Sequence, residues 1–264
     1  MDLGLRGKRA LVTGSTAGIG FATAKLLAAE GATVVVNGRT AARATKAADE
    51  IRSQVRDARV EAVAADLGSA AGCSELAARV PDVDVLVNNV GIFEPKPFEQ
   101  ISDADWLRFF EVNVLSGVRL SRHYLPGMRA RNWGRIVFVS SESALQIPAE
   151  MIHYGTTKTA QLAVARGLAE TTVGSGITVN SVLPGPTGSE GVETFVQQMA
   201  QARGTDFKTM EREFFATARP SSLLQRFATP DEAAAMIVYV CSVPASATNG
   251  AAVRVDGGVV RAIV

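Results

Sequence analysis

Lys8-Arg9-Ala10-Leu11-Val12-Thr13-Gly14-Ser15-Thr16-Ala17-Gly18-Ile19-Gly20 is the stretch that decides the architecture of this chain. Its first five residues read as a short buried strand, apolar within and charged at its start. Three glycines follow, and then Phe21 to Glu30, rich in helix formers with an apolar stripe. Strand, glycine turn and helix in this order make a cradle for a diphosphate. Glycine lets the backbone approach the ligand, and a helix amino terminus presents unpaired N–H groups with partial positive charge. Thr33-Val34-Val35-Val36 follows as a second buried strand at the distance of a βαβ unit.

Outward from that unit, strands are expected near residues 8–13, 33–37, 60–65, 83–87, 134–139, 177–183 and 250–255, with helical stretches between them. Most are Val- and Ile-rich runs without polar alternation, as for parallel strands covered on both faces. The alternation predicts one α/β domain spanning residues 1–264, a doubly wound seven-stranded parallel sheet with helices on both faces. Ligands of such sheets bind at the carboxyl ends of the strands. The residues of chemical interest fall there: Gly14, Arg39, Asp66, Asn88, Ser141 and Pro184 follow strands one to six.

Composition sets bounds. A chain of 264 residues suits one large domain, and a net charge of +1 gives no field for nucleic acid or a membrane surface. Arg122, Arg129, Arg131 and Arg135 form the densest basic cluster and read as a solvated helix end. Cys73 and Cys241 stand in separate apolar stretches without metal spacing and read as reduced, buried thiols. With no leader and no membrane-spanning run, the expected location is cytoplasmic.

Tyr154 and Lys158 lie one helical turn apart, so a phenol and an ammonium can reach one pocket. A tyrosine titrates near pH ~10, and a neighbouring cation favours its phenolate. Taken with the cradle, this pair completes a resemblance to the short-chain dehydrogenases/reductases, from about Leu5 to about Arg261. Thr13 to Gly20 resembles the T-G-x-x-x-G-x-G cofactor turn, and Asn88-Asn89-Val90-Gly91 the N-N-A-G motif, with Val90 for the usual alanine. Asn113, Ser141, Tyr154 and Lys158 match the polar catalytic positions; Ser141 is preferred to Ser140 for its spacing to the tyrosine. Asn180 to Gly185 is similar to N-x-x-x-P-G, and Asp256-Gly257-Gly258 to the carboxyl-end D-G-G.

The resemblance implies a Rossmann fold, similar to 3-oxoacyl-(acyl carrier protein) reductases, that interconverts a carbonyl and a secondary alcohol by hydride transfer. Tyr154 would exchange the proton. Lys158 would lower the tyrosine's pKa and hold the nicotinamide ribose, Ser141 would donate to the alkoxide, and Asn113 would place a relay water. The cofactor would lie along Gly14, Ser15, Thr16, Gly18, Ile19 and Gly20, reach Asn37, Arg39 and Thr40, and be bracketed by Asp66 and Leu67. Asn89, Val90, Gly91, Tyr154, Lys158, Pro184, Gly185 and Thr187 would line its nicotinamide side. The family's acidic NAD-selecting position holds Gly38, while Arg39 suits a 2′-phosphate. NADP(H) is therefore expected, with NAD(H) as the alternative.

Phe93, Ser143, Ile147, Met151 and Pro186 are the expected pocket wall. Glu142 is left between the pocket mouth and solvent, and His153 is expected to point elsewhere on its helix. A substrate lid is expected at 186–224, built around Phe195, Met199, Phe207, Phe214 and Phe215. The family's habits imply a homotetramer, or a dimer, with Trp106 and Trp133 at its interface. Other readings are an NAD-dependent alcohol or sugar dehydrogenase, and a dinucleotide-binding regulator without turnover. The enoyl-reductase branch spaces its tyrosine and lysine more widely and is disfavoured.

Overall fold

A computed structural model describes residues 1–263 except 190, 191, 193, 195, 198, 199 and 202. Seven parallel strands form one sheet: β1 (Arg9–Val12), β2 (Thr33–Gly38), β3 (Arg59–Ala64), β4 (Val85–Asn88), β5 (Gly134–Val139), β6 (Ile177–Pro184) and β7 (Ala252–Val255). Their spatial order is β3-β2-β1-β4-β5-β6-β7. The chain reverses direction across the sheet between β1 and β4, and a doubly wound fold opens its ligand crevice at that point.

The apolar runs divide their side chains between two cores. Ala10 and Val12 of β1, Val34 and Val36 of β2, Val85 and Val87 of β4 and Val137 and Val139 of β5 face one core. Leu11, Val35, Leu86, Ile136 and Phe138, the residues between them, face the other. That is why these strands carry no polar alternation. The first core is closed by α1 (Gly18–Ala29), α2 (Ala41–Gln54) and α8 (Pro230–Cys241). The second is closed by α3 (Ala70–Arg79), α5 (Ser116–Ala130) and α6 (Ile152–Glu170). Cys241 lies in the first core and Cys73 in the second, so the sheet separates the two thiols. Burial pushes the Cys241 thiol up to about 12.

Two further helices with full bounds lie outside these layers among the described residues. α4 (Asp103–Phe110) runs through a π-helical turn at Glu111–Leu115 into α5. α7 (Phe207–Thr217) lies over the carboxyl ends of the strands, where Val196, Ala200, Met210, Phe215 and Phe227 make a small third core. Phe195 and Met199, expected in this cover, lie outside the described residues; Phe207, Phe214 and Phe215 all pack in it.

The basic cluster separates by position. Arg122, Arg129 and Arg131 are exposed as expected, but Arg135 is buried. Its guanidinium lies over Trp133 and donates to the carbonyls of Ser242, Gly134 and Gly176. Trp133 also lies beneath Lys8 Nζ, at 3.8 Å, so its ring is already packed within its own chain.

Asn37 does not reach outward to a ligand, as the sequence reading had it. It is buried; its Oδ1 accepts from Gly14 N at 3.2 Å, and its Nδ2 donates to the Val63 and Ala65 carbonyls at 3.2 Å. The amide therefore ties the ends of β1, β2 and β3 together. Asn37→Ala strands these backbone groups in the interior, so a loss of about 2–4 kcal/mol in chemical denaturation is expected. The ratio of kcat/KM for the two nicotinamide cofactors should stay within about twofold of wild type, since no ligand contact is removed.

Candidate active site

The glycine turn is held by side chains from beneath. Thr13 Oγ1 accepts from the Asn89 and Val90 amides at 2.9 and 3.1 Å, and Asn89 Nδ2 donates to the Thr13 and Gly14 carbonyls at 3.0 and 3.1 Å. Ser15 is spent in the same scaffold. Its hydroxyl donates to Val12 O and accepts from Asn37 N. A Cβ at Gly20 would stand 2.5 Å from Asn89 Nδ2 and 2.6 Å from Gly14 O, so only glycine fits there. α2 and α3 also begin at strand ends, and are capped by the hydroxyls of Thr40 and Ser69. α1 begins at Ala17 with no capping side chain and no acid in its first turn. Its leading N–H groups are thus left for an anion, which fits a dinucleotide diphosphate.

A cleft of ≈ 580 Å³ runs from Ala17–Gly20 past Asn89 and Gly91 to Tyr154 and Lys158. Arg43, on the first turn of α2, lines its outer end. The sequence reading missed Arg43, although it stands one turn beyond Arg39. Arg39 and Thr40 are exposed beside it. A Cβ at Gly38 would run into the Thr16 γ-methyl, so a side chain there would require Thr16 to move. Asp66 is exposed, with Oδ1 accepting from Gly68 N, while the Leu67 side chain is buried in the second core and offers a ligand none of its surface.

Ser141, Tyr154 and Lys158 meet above β5. Lys158 Nζ donates to Val139 O at 3.0 Å and lies 5.7 Å from the centre of the Tyr154 ring. Burial pushes the Lys158 ammonium down to about 8, against the opposing pull of Glu142. The Tyr154 phenol moves the other way from expectation. Burial first, and then the Glu142 carboxylate, hold its proton more tightly than in water, and the Ser141 hydrogen bond and Arg219 only partly offset them. Lys158 does not make this phenol acidic in the chain by itself.

Asn113 sits in the π-helical turn. Its amide accepts from Ile92 N and donates to Ile92 O and Thr157 Oγ1 at 2.8, 3.0 and 3.0 Å. Both amide hydrogens are spent in anchoring the loop after β4 against α6, and one acceptor site is left on Oδ1. Its main-chain carbonyl accepts from Gln161 Nε2.

A second cavity of ≈ 700 Å³ adjoins the first, between Tyr154 and the α7 cover. Phe93, Ser143, Met151 and Pro186 line it, together with Pro184, Gly185 and Thr187. Ile147 does not; it is largely exposed and packs over Gly155. His153 is buried against Phe109, with ring centres 4.0 Å apart, and faces neither cavity.

Glu142 is buried, not solvated. It accepts from Ser141 Oγ at 2.5 Å, from Ser143 Oγ at 3.2 Å and from Arg219 Nε at 3.2 Å. Arg219 also reaches Glu150 Oε1. Nothing in the sequence pairs residues 142 and 219; the cover over the cavity brings them together.

Residues 8–200 match the short chain dehydrogenase family model, and the chain belongs to that family. It is 47% identical over 263 residues to the uncharacterized oxidoreductase YvaG of Bacillus subtilis, covering 100% of each. It is 35% identical to a D-beta-hydroxybutyrate dehydrogenase of Cupriavidus necator, over 96% of this chain and 98% of the relative. L-sorbose reductase from Gluconobacter frateurii, solved with NADPH and L-sorbose, superposes with a TM-score of 0.94 at 32% identity, covering 100% of each chain. The protein is an oxidoreductase of the kind that acts on CH–OH and C=O groups with a nicotinamide dinucleotide.

Burying Lys158 costs stability at neutral pH. Between pH 8 and the ordinary lysine value of 10.5, the unfolded chain holds a proton that the folded chain has shed, so the folded state gains as pH rises. Lys158→Met without cofactor should thus be more stable than wild type at pH 7 by about 2 kcal/mol, after loss of the bond to Val139 O. Urea titrations at pH 7 and pH 10 check this: the advantage should shrink at the higher pH.

Proposed function

We propose that the protein is an NADP-dependent reductase that interconverts a ketone and a secondary alcohol. The observation that carries this reading is the placement of Ser141, Tyr154 and Lys158 on one wall where the dinucleotide cleft meets the second cavity. Bound nicotinamide would supply or accept the hydride. The chain's own residues position the carbonyl and manage its charge. Tyr154 gives its proton to the carbonyl oxygen, and Ser141 stabilises the oxygen as charge builds. Lys158 holds the ribose and a positive charge beneath the phenol. Asn113 is a positioning residue that fixes the loop carrying Gly91 and Ile92.

NADP rather than NAD is supported by the absence of a carboxylate at Gly38, by Arg43 in the lining of the cleft and by the exposed Arg39 one turn before it. The cover formed by α7 and its small core supports a lid that closes over substrate. A homotetramer, or a dimer, would cover the exposed Leu107 of α4 and Leu223 and Ile263 near the carboxyl end. Among the described residues no helix is long and apolar enough to cross a membrane, in keeping with a cytoplasmic enzyme.

Tyr154→Phe should lower kcat for ketone reduction by about 10³-fold or more while leaving the dissociation constant for NADPH within about threefold. Fluorescence titration and stopped assays measure the two; near-normal turnover would refute the role of the phenol. Replacing Arg39 and Arg43 together by alanine should raise KM for NADPH by about tenfold or more and leave KM for NADH nearly unchanged. Equal effects on both cofactors would overturn the NADP reading.

A further inference from the structure

The hydrogen-bonding capacity around Glu142 is nearly exhausted, and what remains points to one kind of substrate. A carboxylate has about four acceptor sites. Oε1 takes Ser143 Oγ and Arg219 Nε, and Oε2 takes Ser141 Oγ. One site is left, on Oε2, in a carboxylate that lines the second cavity beside Tyr154. Ser141 is in the converse position. Its single proton goes to Glu142, while its oxygen accepts from Ser143 N and is hydrogen-bonded to Tyr154. In this state Ser141 has no proton to offer a substrate oxygen.

Charge narrows the choice. Among the described residues, the ionisable side chains beside Ser141 at this end are Glu142, Glu150 and Arg219, joined by two ion pairs, with a formal net charge of −1. Farther out, Arg203 and Glu213 pair with each other. Among the described residues that line this cavity, a substrate carboxylate would meet no cation without an acidic partner, and it would face Glu142. A neutral hydroxyl would meet an acceptor.

We infer that Glu142 is a specificity-determining residue for α-hydroxy ketones and the vicinal diols they form, the hydroxyl on the carbon next to the carbonyl donating to Glu142 Oε2. This rests on the carbonyl–alcohol reading above and deepens it. The hydroxyl takes the remaining Oε2 site, and, with that oxygen then shared, the Ser141 proton turns from Glu142 to the carbonyl oxygen. Arg219 is a positioning residue that aims Glu142 through its Nε bond to Oε1. No bond is made or broken in this exchange, only hydrogen-bond partners. Because it arms Ser141, the benefit falls on kcat as well as KM.

The test uses matched substrates and purified full-length protein with NADPH: 1-hydroxy-2-butanone, 2-butanone and 2-oxobutanoate. Wild type should reduce the hydroxyketone with kcat/KM about 10- to 100-fold above the plain ketone, part of it in kcat, and the keto acid least. In Glu142→Ala the ratio of hydroxyketone to ketone should fall to within about threefold of unity, and the near-isosteric Glu142→Gln, with one acceptor oxygen, should fall between. A wild-type ratio near one, a preference for the keto acid, or an unchanged ratio in either variant overturns the inference while leaving the ketone-reductase reading standing. Should wild type reduce none of the three with either nicotinamide, the underlying reading falls and takes the inference with it. The wild-type ratio decides even where a variant fails to fold.

Discussion

The Thr13 hydroxyl and the Asn89 amide join the loops after the first and fourth strands, and the geometry of the cleft is measured from that joint. Parallel strands end with unpaired backbone groups, all at one edge of the sheet. Here buried side chains satisfy them: Thr13 for Asn89 and Val90, Asn37 for Gly14, and Asn113 for Ile92. Each anchor is a short polar group with little rotamer freedom to lose, so the loops are held at small entropic cost. Longer side chains at these positions would not fit under a glycine turn that packs onto Asn89 itself.

On this rigid floor the chain keeps charges where burial disfavours them. Lys158 and Glu142 are both buried, on either side of the Tyr154 phenol, and neither is paired with the other. Glu142 is compensated by Arg219, and Lys158 rests on the Val139 carbonyl. Separate partners leave a cation on one side and an acceptor on the other. Such an arrangement trades stability for a polarised site.

The fold was legible because its signals are redundant. Seven apolar runs, a glycine turn and the motif positions all agree on one parallel sheet, and every expected strand overlaps an observed one. The meeting of Ser141, Tyr154 and Lys158 was legible for the same reason: two of them share a helix face and the third ends a strand. What escaped the sequence were side chains whose meaning depends on what covers them. Arg135 looks like its solvated neighbours until Trp133 and three carbonyls close around it. Asn37 looks like a ligand contact, and turns out to spend its amide on backbone. Ile147 looks like pocket wall, yet lies outside it. Arg219 is 77 residues from Glu142, and no local pattern links them.

The direction of the Tyr154 shift bears on the chemistry. With its proton held tightly by burial and by Glu142, the phenol stands protonated at neutral pH. That is the form that would give a proton to a carbonyl oxygen in the proposed reduction. Alcohol oxidation needs the phenolate, and Lys158, 5.7 Å from the ring centre and bonded to Val139 O, is too weakly coupled to produce it unaided. Additional positive charge must enter the cleft for that direction, and an oxidised nicotinamide carries such charge. In the proposed oxidation, the proton-accepting state of Tyr154 would be a property of the complex rather than of the chain alone.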